Sequence, residues 1–192
     1  MILQKSDKLI IKIVETEEER LKAFLVRGIV YLEEQKCPYN EEFDLNDFTA
    51  TQIIGLIDNE PILTARIRYF SNFAKLERVA IRKPYRKQGY AHKLIKYMIE
   101  FCLKKGYTKL YMHAQIRLKH FDEKYSFHQI GTPFYFSGYD YIEMVGNFKK
   151  NYNPEKYIKI APLHLDRSEG NFDKANALEL SAKNKPGNII AI

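Results

Sequence analysis

The sequence predicts an α/β domain of residues 1–148, followed by an appendage of unknown role at 149–192. Three observations carry this. Two strand-like runs, 50–57 and 61–70, flank a short polar turn at Asp58, Asn59 and Glu60. A helix with one apolar face, 89–105, separates strand-like runs at 75–81 and 108–114. Finally, 192 residues that are 45% hydrophobic and 29% charged suffice for one core, and that patterning fades after residue 147.

Each element has its own local signal. Residues 10–14 alternate and read as a first strand. Thr16 followed by Glu19 has capping-box spacing, and Leu21, Phe24, Leu25, Ile29 and Leu32 then recur at helical spacing. Gly28 is expected to bend or break this helix. Residues 33–49 are acidic and carry Pro38, which reads as a loop. In the 89–105 helix, Ala91, Leu94, Ile95, Met98 and Cys102 share one face and Gly106 terminates it. A short helix is expected over 118–127. Aromatic strands at 134–136 and 141–145 turn at Ser137 and Gly138, and short strands are expected at 157–160 and 188–192.

Composition narrows the function classes. Cys37 and Cys102 form no disulfide framework and no metal-ligand spacing, so no metal is expected. Lys8 and Lys12 interrupt the N-terminal apolar run and no stretch reaches membrane-spanning length, which points to a cytoplasmic protein. Charge is uneven. Residues 1–74 carry 9 Lys+Arg against 13 Asp+Glu, residues 75–124 carry 14 against 4, and residues 125–192 carry 8 against 7. A basic centre suits an anionic ligand or is a solvated face. Nucleic acid is not expected, because no basic run of five and no nucleic-acid motif accompanies the charge.

Residues 86–91, Arg-Lys-Gln-Gly-Tyr-Ala, link the 75–81 strand to the main helix. A helix start offers unpaired N–H groups and the positive end of the dipole, an anion site. Gly89 and the small Ala91 allow close approach, while Arg86 and Lys87 add charge. A plain surface turn before a helix would look similar.

Arg86-x-x-Gly89-x-Ala91 resembles the R/Q-x-x-G-x-G/A motif of the GCN5-related N-acetyltransferases (GNAT). The resemblance extends over residues 8–148. It includes Arg27, Tyr31 to Gln35, Cys37-Pro-Tyr39, Thr64 to Arg68 and Tyr111-Met-His-Ala-Gln115, which resemble the ElaA-like branch, and Phe121 to Phe127, which falls where the family shows F-Y-E-K-x-G-F. It implies the GNAT acyl-CoA N-acyltransferase fold, a mixed twisted sheet flanked by helices and splayed between strands four and five. It also implies acetyl-CoA as co-substrate. Pantetheine would pair with Val79, Ala80 and Ile81, and the pyrophosphate would meet Arg86, Lys87, Gln88, Gly89, Tyr90 and Ala91.

The implied chemistry is acetyl transfer to an amine in a ternary complex. The amine must lose a proton before attack, and Glu77, Glu34 and His113 are the candidate bases. By alternation Glu77 should share a face with Val79 and Ile81. The family's usual donor to the leaving thiolate is a Tyr after Phe121. Here Asp122 stands there and Ser126 replaces a usual Gly, so Tyr125, Asp122 with a raised pKa, or no donor remain open. The acidic 33–47 segment favours a cationic acceptor, on a small molecule or a protein. Phe134, Tyr135, Phe136, Tyr139 and Tyr141 form either a cage for it or ordinary packing. Two other readings stay open: a non-catalytic coenzyme A-binding protein and a relative of acyl-homoserine-lactone synthases. The chain is expected to act as a monomer or homodimer.

Overall fold

Two tight turns anchor the sheet. Asp58 and Asn59 take positive φ of 50° and 67°, joining β2 (Thr51–Ile57) to β3 (Glu60–Tyr69). Ser137 (φ 46°) and Gly138 (φ 80°) do the same between β6 (Phe127–Phe136) and β7 (Tyr139–Asn147). Positive φ at both turn residues matches the twist of a two-residue hairpin. The remaining strands are β1 (Ile10–Ile13), β4 (Ala74–Ile81) and β5 (Lys109–Gln115). All seven form one sheet in the order β1-β2-β3-β4-β5-β7-β6. The computed structural model describes residues 8–149, 166–169 and 174–183. The chain divides into two compact units, Met1–Lys150 and Asn151–Ile192.

Every strand pair is antiparallel except β4–β5, which is parallel and brief. Ala74, Lys75 and Leu76 pair with Leu110, Tyr111 and Met112, and the register ends there. Beyond it Glu77–Ile81 and His113–Gln115 diverge, which is the splay the resemblance implied. β4 also carries an extra residue: Glu77 pairs with Arg66 and Ala80 with Thr64, and Arg78 between them has φ 52°. A bulge of this kind reverses the alternation downstream. Glu77 therefore shares its face with Ala80 and not, as alternation predicts, with Ile81.

Both faces of the centre are buried, as the unbroken buried runs of β2 and β3 require. α1 (Glu17–Arg27) covers one face, capped by Thr16, whose hydroxyl accepts from the Glu19 N–H at 3.2 Å. The return bond of the expected capping box goes instead from Glu15 N–H to Glu19 at 2.9 Å. The expected apolar stripe is corrected too. Leu21 and Leu25 are 68% and 54% exposed, whereas Ala23, Val26 and Arg27 are buried. The side of α1 that packs inward therefore carries Ala23, Val26 and Arg27. The α-helix ends at Gly28, its C-cap, in line with the break expected there. The chain widens there into a π-helical segment, Gly28–Glu34, and Val30 packs with Val26 on Ala80.

The expected loop at 33–49 holds α2 (Tyr39–Glu42) and a 3-10 turn, Leu45–Phe48. α3 (Tyr90–Lys104) packs on β4 and buries Leu94, Ile95, Met98 and Cys102 as the spacing predicts. It ends in a Schellman motif: Tyr107 N–H donates to Cys102 O at 2.9 Å, Gly106 N–H donates to Leu103 O at 3.0 Å, and Gly106 has φ 98°. The helix expected over 118–127 is shorter, a 3-10 turn at Ile116–Leu118 and α4 (Lys119–Glu123). Ser126 turns the chain with φ 65°, a conformation that suits glycine better, and Phe127 already belongs to β6.

In the second unit, α5 (Ala177–Lys183) starts with a reciprocal cap. The Asn176 side chain accepts from Glu179 N–H and Glu179 accepts from Asn176 N–H, each at 2.8 Å. Arg167 donates twice to Glu179. The strands expected at 157–160 and 188–192 lie outside the described residues.

Candidate active site

The loop between β4 and α3 has the backbone of an anion cradle. Lys87 and Gly89 take positive φ of 64° and 79°, with Gln88 between them. Gly89 is the N-cap of α3 and contributes no side-chain cap. The first helical bond runs from Lys93 N–H to Gly89 O at 3.3 Å, so the N–H groups of Tyr90, Ala91 and His92 precede it. A Cβ on Gly89 would meet nothing within 4 Å. This helix start therefore combines an open side at Gly89 with N–H groups ahead of the first helical bond, the general features of an anion site.

Arg86 spans the mouth. Its Nε donates to Ile81 O at 2.8 Å and its Nη2 pairs with Glu34 at the end of the π-helical segment. On the same strand, the Tyr31 hydroxyl donates to Val79 O at 2.9 Å, and burial pushes that phenol up. A carbonyl oxygen has two lone pairs, so Val79 and Ile81 retain capacity for a further donor.

Glu77 is partly buried and its carboxylate is engaged. Arg66 Nη2 lies 2.9 Å and Lys75 Nζ 2.8 Å from it. Burial opposes ionisation, but these two cations hold the carboxyl below its ordinary value. It belongs to a network centred on two arginines with almost no exposure, Arg27 (0%) and Arg66 (1%). Arg27 contacts Glu42 and Asp47, each at 2.6 Å, and lies against the rings of Phe24 and Phe43, which meet edge to face. Arg66 contacts Asp44 and Asp47, each at 2.8 Å. Despite burial, Arg66 and the Asn46 N–H hold Asp44 down at about 2. Arg78, turned by the bulge, reaches Glu42 at 3.1 Å. The acidic segment thus spends Glu42, Asp44 and Asp47 on internal arginines, which removes the sequence-based argument that these charges attract a cationic acceptor.

Beside β5 the Tyr111 hydroxyl donates to Glu143 and lies 2.7 Å from His113 Nε2. His113 is solvent-exposed, and partial desolvation together with Lys75 lowers its pKa. Phe134 stands edge-on to His113 at 5.0 Å and stacks on Tyr141 at 5.9 Å. Phe136 packs against Tyr141, but Tyr135 is solvent-exposed and Tyr139 and Tyr141 half-buried, so the hairpin is neither a closed cage nor core. On the other flank Asp122 is 5% exposed, and burial raises its carboxyl to about 6. The Tyr125 hydroxyl bonds His92 Nδ1, with Phe121 against both rings. Burial and Asp122 raise the Tyr125 pKa.

A family model described as an acetyltransferase (GNAT) domain matches residues 39–148. The chain belongs to the GNAT acetyltransferase family. A Bacillus subtilis (strain 168) protein named only as a candidate acetyltransferase is 30% identical over 137 residues, covering 70% of this chain and 93% of the relative. The crystal structure of Escherichia coli ElaA is similar in fold, with a TM-score of 0.67 and 21% identity over 73% of this chain and 99% of that one. A GNAT acetyltransferase from Elizabethkingia anophelis with acetyl-CoA bound has a TM-score of 0.54 and 15% identity, covering 74% of this chain and all of the other. GNAT membership implies acyl transfer from an acyl-CoA. Among the described residues no helix is long and apolar enough to cross a membrane, and no cluster of three metal-ligating side chains occurs.

Sequence reasoning paired Arg86 with the cradle and Glu34 with catalysis, but the structure brings them together in one ion pair. It missed His92, Tyr111, Glu143 and the arginine network. His92 follows the GNAT loop motif directly and was the most findable of these. Glu143 becomes a neighbour of His113 only through β5–β7 register.

Proposed function

We propose that this GNAT chain moves an acetyl group from acetyl-CoA to an amine by direct attack in a ternary complex, with residues 1–148 as the catalytic domain. The observation that carries this is the end of β4–β5 pairing at Leu76 and Met112, beside an uncapped α3 start. Val79, Ala80 and Ile81 would offer a strand edge to the pantetheine amides, and the Arg86–Ala91 loop would take the pyrophosphate.

In the reaction an ammonium first gives up a proton. The amine lone pair forms an N–C bond at the thioester carbonyl, the C–S bond breaks, the nitrogen gives up a second proton, and the thiolate takes one. Of the candidate bases, Glu77 is held ionised by Arg66 and Lys75, which weakens its pull on a proton. Glu34 is paired with Arg86. His113, neutral at pH 7 with its lowered pKa, is favoured. As donors, Tyr125 keeps its proton at pH 7, and Asp122 near 6 is protonated in roughly a tenth of molecules at pH 7. A carboxyl that still carries protons near neutrality weakens the argument for a non-catalytic binder, since Asp122 need not be inert.

The acceptor is an amine on a small molecule or protein, and the reaction takes place in the cytoplasm. Calorimetry with acetyl-CoA and a thiol-release assay over an amine panel test the reading. Binding and release are expected together, and well-folded protein that binds no acetyl-CoA refutes it.

A further inference from the structure

His113 is the first residue of β5 past its last pairing with β4, so it stands where the sheet opens. Its neighbour on the same face, Gln115, donates to Gln35 at 3.3 Å, which places this face toward the end of the π-helical segment. The groups around His113 are Lys75 and Glu77 on β4, Tyr111 on β5, Phe134 on β6 and Glu143 on β7.

The hydrogen bonds among them determine which nitrogen carries the proton. A phenol has one proton, and Tyr111 donates it to the Glu143 carboxylate. The 2.7 Å contact between the Tyr111 oxygen and His113 Nε2 must then run from the imidazole, with Nε2–H donating. A neutral imidazole that donates through Nε2 has its lone pair on Nδ1. Glu143 and Tyr111 therefore select one tautomer. When Nδ1 gains a proton, the imidazolium keeps its Nε2–H bond to a phenol already polarised by a carboxylate, which stabilises the new positive charge.

We infer that Glu143 and Tyr111 are positioning residues for a base at His113, whose Nδ1 takes the proton of the acceptor ammonium. The inference rests on the acetyltransferase reading. The proton passes from ammonium nitrogen to Nδ1, the freed lone pair forms the new N–C bond as the C–S bond breaks, the nitrogen gives up its second proton as the leaving thiolate takes one, and the Nδ1 proton later leaves to solvent. No electron is gained or lost in this exchange. Phe134 packs edge to face against one side of the ring at 5.0 Å.

Two measurements decide the matter. Long-range 1H–15N NMR of the wild-type chain is expected to show neutral His113 as the Nε2–H form, and Tyr111→Phe to show a mixture of both tautomers. Steady-state kinetics of His113→Gln is expected to lose about 100-fold in kcat/KM for the amine, within the range for general-base catalysis. Glu143→Gln is expected to lose about 10-fold, mainly in kcat. Because Glu143 raises the His113 pKa, Glu143→Gln is also expected to move the acid limb of the pH–rate profile to lower pH. Affinity for acetyl-CoA should stay unchanged in all three variants.

An Nδ1–H tautomer in the wild type overturns the inference, as does transfer by His113→Gln at the wild-type rate, and both leave the acetyltransferase reading standing. A wild-type chain that binds acetyl-CoA yet acetylates no amine overturns both.

Discussion

Substituting Gly89 separates what the loop needs to fold from what it needs to bind. In the chain alone a Cβ at this position touches nothing within 4 Å, so sterics add no penalty. The backbone does, because φ is +79°. A non-glycine residue there costs about 1–2 kcal/mol, less for Asn, which in a chain of this size lowers Tm by roughly 2–8 °C. Binding should suffer differently. The proposed diphosphate would lie at the Tyr90, Ala91 and His92 donors next to Gly89, so a side chain at Gly89 would compete with it for space. Losing one charge-assisted hydrogen bond costs about 1.5–3 kcal/mol, or roughly 10- to 100-fold in Kd. Gly89→Ala, Gly89→Asn and Gly89→Val, measured by calorimetry with acetyl-CoA and by thermal melts, should therefore show affinity falling in the order of side-chain size. Stability should follow φ tolerance, with Asn mildest. Gly55 supplies the contrast, since a Cβ there runs into the Leu63 side chain and should harm folding without altering the affinity of folded protein. If Gly89→Val binds acetyl-CoA within twofold of wild type, the cradle is not where the diphosphate sits and the reasoning fails.

Other outcomes can be checked alongside. Arg66→Met strips the buried partner from Asp44, Asp47 and Glu77 and should cost about 3–5 kcal/mol in urea unfolding. Asp44 has a folded pKa of about 2, below its unfolded value, so its contribution is present above pH ~4 and lost as pH falls from ~4 toward 2. Asp47 and Glu77 are lowered as well and act in the same direction, so urea midpoints should drop across that acid range, and less steeply in Asp44→Asn. If Asp122 is the donor, thiol release should decline as pH rises through about 6, and Asp122→Asn should abolish that decline. Tyr125→Phe should slow release if Tyr125 is the donor. Unchanged rates in both variants mean that no donor acts here. Lys75→Gln removes a cation that lowers the His113 pKa, so the acid limb of the rate profile should move to higher pH. An unmoved limb would separate His113 from the rate.

What could be read in the one-dimensional chain was whatever a few adjacent residues decide. The turn at Asp58 and Asn59, the stop at Gly106, the buried stripe of α3 and the loop at 86–91 follow from φ preference, side-chain period and unpaired helix donors, all acting over one or two turns. The family motif was legible for the same reason. The packed side of α1 was not, because Leu21 and Leu25 satisfy helical spacing as well as Ala23 and Val26 do, and only the sheet beneath selects the smaller pair. Nor was the fate of the acidic segment legible. Asp44 and Asp47 meet Arg66 across 22 and 19 residues, and Tyr125 meets His92 across 33. The reach of Arg78 depends on one extra residue in β4, which alternation alone does not reveal. Charge, desolvation and proton position depend on neighbours in space, and for this protein those neighbours were assembled by strand register and helix packing from chain-distant parts of the sequence.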